Sequence, residues 1–198
     1  MNSNDLLKKA KTSLSTVIMT LLFSFAQESY AQVRISADIP QIDLNFFKGE
    51  VPKNSAYAST TFIDYSYGFS IERNTRTNAV KVRVTMRITP NSEKSYFDQS
   101  RVNKANIDRL VNHEQGHIVL GFIIGKQVED ALNAASYTVN YKEEIRRNYQ
   151  LFYARYEKLQ LDYDKQTRHG ADLKAQESWN KKLRRLVSPT TAVTASTP

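Results

Sequence analysis

The amino-acid order predicts an α+β fold in which an N-terminal antiparallel β-sheet or hairpin packs on a C-terminal set of about three helices. Three observations carry this reading. From Gln32 to about Thr89 apolar side chains recur at every second residue, and from about Asn103 onward they recur at helical spacing. The change of period happens once, with no internal repeat, and 198 residues of which 40% are apolar suffice for one domain with a hydrophobic core.

The extreme N-terminus reads as something other than fold. Lys8, Lys9 and Lys11 precede an apolar run from Leu14 to Ala26, and Ser29-Tyr30-Ala31 places small residues at the outer and inner positions of a cleavage site. Residues 1–31 are therefore expected to be a secretory signal peptide, residues 32–187 the single mature domain, and the small and polar residues 188–198 a disordered tail. The apolar run is about 13 residues against the roughly 20 that span a bilayer, and no later segment is apolar enough to cross one. The prediction is an exported protein, periplasmic or extracellular, with no transmembrane span after signal cleavage.

Cutting after Ala31 removes three lysines and two acids, so the formal charge falls from +8 to +7. No basic patch is interleaved with aromatics in the manner of a nucleic-acid groove, which argues against a nucleic-acid partner. For an exported protein a basic surface admits contact with anionic envelope polymers. The chain has no cysteine, which excludes a lipid-modified cysteine, a disulfide framework and any thiolate metal site.

Within the β half, Val33–Ile39 and Ile42–Phe47 are short strand candidates separated by Pro40, and a polar loop with Pro52 follows Gly49. Thr61, Ile63, Tyr65, Tyr67, Phe69 and Ile71 then alternate with polar or small residues to predict a half-buried strand. Asn74–Asn78 interrupts it. Val80, Val82, Val84, Met86 and Ile88 form the cleanest alternation, expected to stop at Pro90-Asn91. Such a hairpin cannot bury its apolar face alone, so the helices must cover it.

Ser92–Ser100 is turn-like, and Ser100 or Asn103 is a candidate cap for a helix running to about Ala135. Gly116, Gly121 and Gly125 in its interior are read as close-packing positions. After a connection at 136–140, Tyr141, Ile145, Tyr149, Phe152, Tyr156, Leu159 and Tyr163 form a heptad-like seam of a second helix, read as a packing surface. The pattern breaks at Gly170, and Leu173, Trp179, Leu183 and Leu186 mark a last amphipathic helix ending near Val187.

The first helix contains His113-Glu114-Gln115-Gly116-His117. Positions four apart lie one above the other on a helix face, so both imidazoles can reach a single ion, and Zn²⁺ suits neutral imidazole at about 2.0–2.1 Å. Glu114 can lean over the open position of such a site and take a proton from water there. The competing explanation is that His113 and His117 are ordinary helix residues that fell four apart by chance. A catalytic zinc site needs a third protein ligand. His169, the last of three histidines, lies at a helix break, and Glu129, Glu143 and Glu144 compete with it. Counted from the connection, His169 overshoots His117 by about ten residues, or about 15 Å along straight parallel helices.

Leu110–His117, together with Tyr163-Asp164-x-x-Thr167-x-His169-Gly170 and Gln176-x-x-Trp179, resembles the family of secreted zinc-dependent proteases catalogued as domain of unknown function 922. Ile42–Gly49 is similar to that family's early Leu-x-Trp-x-Asp-Phe-x-Gly segment, keeping Phe47 and Gly49 but having Leu44 and Phe46 for its Trp and Asp. Ser95-Tyr96-Phe97 stands where the family often has Ser-Trp-Val. The resemblance implies a compact zincin-like fold, the Zn²⁺ ligands His113, His117 and His169, and Glu114 as base. Asp164 is expected to orient His169 or another ligand and Tyr163 to face an oxyanion, the alternative for both being local turn chemistry and core packing.

The expected function is hydrolysis of peptide bonds in a peptide or protein substrate by an exported zinc metallopeptidase. The alternatives are an amidase acting on envelope or cell-wall amides, and an envelope-binding protein whose zinc site is structural or decayed.

Overall fold

A computed structural model describes residues 39–187 except 75 and 78. The expected signal peptide, the tail and, apart from Ile39, the strand candidate at 33–39 lie outside the described residues.

The period-two segments form the predicted hairpin: β1 (Ser59–Arg73) and β2 (Val80–Phe97) pair antiparallel, and the sheet has these two strands among the described residues. The register sets Tyr65 opposite Ile88, Tyr67 opposite Met86 and Phe69 opposite Val84. One face therefore collects the apolar side chains, with Val82, Val84 and Met86 buried, while Lys81, Arg83 and Arg87 point to solvent. The backbone edge of β2 is closed by side chains of the following helix. Glu129 Oε2 accepts from Met86 N–H at 2.7 Å, and Asn133 both accepts from Val84 N–H at 2.8 Å and donates to Val84 O at 2.9 Å.

β2 does not end at Pro90-Asn91. Those residues still pair with Ile63 and Phe62, and pairing resumes with Thr60 opposite Tyr96 and Ser59 opposite Phe97. Residues 92–95 bulge out between the two paired stretches, tied by Ser95 Oγ, which donates to Asn91 O at 2.6 Å and accepts from Phe62 N–H at 2.9 Å. A side chain takes over the ladder where the backbone leaves it, which strand periodicity cannot reveal. The candidate strand at 42–47 is a second correction: Leu44–Phe46 is a single 3-10 turn capped by the Asp43 carboxylate on Asn45 N–H. Aspartate at that position offers the backbone a local acceptor that competes with strand pairing.

Three helices follow, as predicted: α1 (Ile107–Ala134), α2 (Tyr141–Thr167) and α3 (Leu173–Val187). Asn103 caps a 3-10 turn at Lys104–Asn106 that leads into α1. Ile118, Leu120, Ile123, Ile124, Val128 and Leu132 of α1 are almost fully buried, each contributing roughly 1.5–3 kcal/mol of transfer free energy. Packing α2 against α1 buries Ile145, Leu159 and Tyr163. The predicted aromatic seam of α2 is divided. Tyr141, Tyr149 and an added residue, Tyr153, meet Phe69, Tyr67 and Tyr65 of β1 with ring centroids 4.9–5.9 Å apart.

The interior glycines of α1 are close-packing positions, as read. A Cβ at Gly121 or Gly125 would lie 2.5 Å from Ile63 or 2.3 Å from Ile88, and one at Gly116 would lie 2.1 Å from the Tyr163 hydroxyl. These three contacts let the ribbon and α2 approach α1 closely, at a cost in helix propensity of up to about 1 kcal/mol per glycine.

Candidate functional site

Along α1, Arg109, His113 and His117 fall four apart and share one stripe. His113 is 2% exposed, and its neighbour Glu114 is 3% exposed. The helix spacing sets the two imidazoles 3.2 Å apart at Nε2, and Asp164 Oδ1 of α2 lies 3.1 Å from His113 Nε2 and 2.9 Å from His117 Nε2. These three atoms form a compact group able to hold a metal ion. Tetrahedral ligands about 2.0–2.2 Å from a shared ion stand roughly 3.4 Å from one another, close to the spacing found here.

Which nitrogen of each ring carries the proton follows from its other neighbours. Gln160 Nε2 donates to His117 O at 3.1 Å, so its Oε1, 2.6 Å from His117 Nδ1, must accept. Gln176 Nε2 donates to the Tyr163 hydroxyl at 2.7 Å and to Asn180 Oδ1 at 2.9 Å, leaving Oε1 to accept from His113 Nδ1 at 3.1 Å. Both rings thus hold their proton at Nδ1 and turn an Nε2 lone pair toward the Asp164 carboxylate. Three lone-pair atoms facing one another repel unless a cation lies among them. In the metal-free protein a proton can serve. Burial works against a charged His117, but the Asp164 hydrogen bond and the charges of Glu114 and Asp164 outweigh it and raise its pKa above the ordinary imidazole value. Burial likewise opposes ionised Asp164, and the His113 and His117 imidazoles, which can donate to it only when an added proton sits at Nε2, override that burial and hold the carboxyl well below its usual range.

Glu114 is anchored from the ribbon. Ser59 Oγ donates to Oε1 at 2.5 Å and Thr61 Oγ1 to Oε2 at 2.7 Å. The two hydroxyls project from the same side of β1 because they are two residues apart, and Thr61 itself lies at the register shift between Thr60 and Phe62 opposite the 92–95 bulge. The sequence reading assigns no site role to Ser59, Thr61, Gln160 or Gln176, although Thr61 belongs to the strand alternation and Gln176 to the residues that carry the family resemblance. The traces they left are weak: two hydroxyl residues in period two, and a glutamine four residues before Asp164 on one helical face.

Tyr163 does not face the cleft. Its ring stacks on His113 at 4.7 Å and 14° and its hydroxyl donates to His113 O at 3.0 Å, so it packs behind the histidines and has no hydroxyl free for an oxyanion. Glu129 is engaged at the β2 edge, Glu144 on Thr138 and Glu143 on Arg146, and none of them reaches the site.

His169 stands outside the compact group, with Nδ1 3.3 Å from Asp164 Oδ1 and its side chain 48% exposed. The interhelical register explains the placement. His117 meets Gln160 and His113 meets Tyr163, so Asp164 is the residue of α2 level with the histidine pair, and His169 would overshoot. It is brought back by three successive left-handed residues, Arg168 (φ 51°), His169 (φ 53°) and Gly170 (φ 77°). For Arg168 and His169 this conformation is strained, and it persists because the surrounding structure holds it. Ala171 N–H reaches Arg168 O and Asp172 N–H reaches Thr167 O. A Cβ at Gly170 would come within 2.9 Å of His113 Cβ, so glycine is required both for the turn and for contact with α1.

The group opens into a cleft of about 950 Å³ with α1 as floor, β1 residues 59–65 on one side and α2 residues 153–164 on the other. Tyr57 overhangs it with its ring 4.7 Å from that of His169. Arg101 fixes that loop by donating to the carbonyls of Ser55, Ala56 and Tyr57 at 2.9–3.2 Å.

Residues 39–170 match the sequence model of a family described as bacterial protein of unknown function, DUF922. No curated protein and no solved structure matches the chain. The family match ends at Gly170, so Gln176, which fixes the His113 ring from α3, lies beyond it.

Proposed function

The chain belongs to the DUF922 family, whose description names no activity, and from the site itself we propose a zinc-dependent peptide-bond hydrolase with His113, His117 and Asp164 as ligands and Glu114 as general base. The single observation that carries this reading is the convergence of two Nε2 lone pairs and a carboxylate oxygen within 3.2 Å, with both imidazole protons committed to glutamine oxygens on the far side. Nitrogen and oxygen donors without sulfur suit Zn²⁺. When bound there, the ion supplies Lewis acidity toward a carbonyl oxygen and toward water.

The rest is chemistry of this chain. Glu114, its two oxygens steadied by Ser59 and Thr61, takes a proton from the attacking water and returns it to the leaving amine. Those hydroxyls restrict the carboxylate to one orientation, which limits the reorganisation needed at the transition state. Asp164 fills the role that the family resemblance implied for His169. His169 then stands at the mouth of the site, beside Asp164 and under Tyr57.

The test is metal analysis of purified protein with turnover of a quenched peptide mixture. About one zinc per chain is expected, lost in His113→Ala. Glu114→Gln keeps the metal and loses roughly 10²- to 10⁴-fold in turnover. Absence of zinc after supplementation, or undiminished hydrolysis by Glu114→Gln, overturns the reading.

A further inference from the structure

Arg109 lines the cleft one helical turn before His113, on the same stripe of α1 as both histidines. Among the described residues it has no hydrogen-bond or ion-pair partner. Arg101 lines the same end, its guanidinium bound to three backbone carbonyls, which are neutral, so its charge is uncompensated there too. The opposite end, past His117, is formed by Tyr65, Tyr153 and Glu157. Glu157 adds its negative charge beside these tyrosines and is in no salt bridge among the described residues. The order along α1 follows from the contacts: Ser59 and Thr61 meet Glu114, and Ile63 and Tyr65 lie over Gly121, so β1 and α1 advance in the same sense. The cleft thus has a cationic end and an anionic end with the candidate metal group between them.

We propose that this polarity selects the substrate: Arg109 binds a carboxylate carried on one side of the scissile bond, and Glu157 favours a cationic or uncharged group on the other. The proposal rests on the hydrolase reading and names the substrate class for it, a peptide with an acidic group at one end of the bound stretch. A guanidinium with unused donors, set in a concave wall, matches a carboxylate in a way that a solvated lysine does not. Two sources of that carboxylate share this chemistry, an Asp or Glu side chain and a free peptide C-terminus.

The experiment uses the zinc-supplemented full chain and fluorescent peptides of equal length that place Glu, Gln or Lys at each position, every peptide made as free acid and as amide. Binding is read by anisotropy in the Glu114→Gln background, and cleavage in the wild-type background. Peptides with a carboxylate on one side of the scissile bond should bind roughly five- to tenfold better than their Gln counterparts, with the advantage shrinking as salt is raised. Preference for acid over amide termini alone assigns the carboxylate to the C-terminus, and preference for internal Glu assigns it to a side chain. Arg109→Gln should flatten the preference and Arg109→Glu should invert it toward Lys. Glu157→Gln should leave the carboxylate preference intact and remove discrimination at the other end.

Equal binding of Glu, Gln and Lys peptides by the wild-type cleft, retention of the acid preference in Arg109→Glu, or no binding by any peptide overturns the proposal. Acid-selective binding without cleavage by the wild type would instead sink the hydrolase reading and leave the polarity standing. Cleavage without selectivity would do the reverse.

Discussion

The floor of the cleft and its rim follow opposite rules. On the floor, His113 and Glu114 are almost wholly buried, and both ring nitrogens and both carboxylate oxygens have partners. At the rim, Tyr57 is 49% exposed and the His169 side chain 48%, and Arg109 has no partner among the described residues. Away from water a missing hydrogen bond costs about 1–3 kcal/mol, whereas an exposed group can always turn to solvent. The geometry that the proposed chemistry needs is therefore built into the core, and the groups that would meet a substrate under that proposal are left able to adjust.

The largest expected contrast sets Asp164 against His169. Asp164→Ala should weaken zinc binding more than 100-fold, since it removes a proposed ligand, while His169→Ala should weaken it less than about tenfold. Competition with a chromophoric chelator measures both. The opposite order would move His169 into the ligand set and dissolve the division between floor and rim.

Next come the two glutamines that hold the imidazole protons. Gln160→Leu and Gln176→Leu should each lower zinc affinity roughly 10- to 100-fold, because the ring loses its preferred tautomer and orientation. Unchanged affinity in both variants would mean that the floor is less constrained than its hydrogen bonds suggest. A steric probe follows: Gly116→Ala must displace the Tyr163 hydroxyl, and thermal unfolding should show a loss of about 1–3 kcal/mol.

The pH dependence gives a smaller effect with a defined sign. His117 is raised in the metal-free fold, so its stabilisation is present below the unfolded imidazole value and lost as pH rises through the folded one. Asp164 is depressed, so its contribution is present above the unfolded carboxylate value and lost as pH falls through the folded one. The pair therefore stabilises the metal-free protein most between about pH 4 and pH 6.5. Zinc affinity should decline as pH falls through the raised His117 value, from above the ordinary imidazole range into that window, as protons compete for Nε2. Melting temperatures with and without chelator across pH check both signs. The smallest effect belongs to the rim, where Tyr57→Ala should leave stability within about 0.5 kcal/mol.

Much of the fold was readable residue by residue. Period two placed β1 and most of β2, and helical spacing placed α1, α2 and α3, because each pattern records which side chains leave water. The bulge at 92–95 was not readable, since it depends on one serine hydroxyl reaching across to the backbone of the other strand. The turn at 44–46 was misread because Asp43 satisfies the backbone locally.

The site divides along the same line. His113, Glu114 and His117 are a consequence of local order, since a helix period of 3.6 residues places i and i+4 on one face wherever the helix lies. The choice of Asp164 beside them depended on how far α2 slides along α1, and hence on the connection at 135–140, the contact of Gly116 with Tyr163 and the left-handed turn that returns His169. Ser59 and Thr61 meet Glu114 only because β1 crosses α1 at that height. Contacts 40 to 60 residues apart in the chain are set by packing of whole elements, which no short stretch of residues encodes.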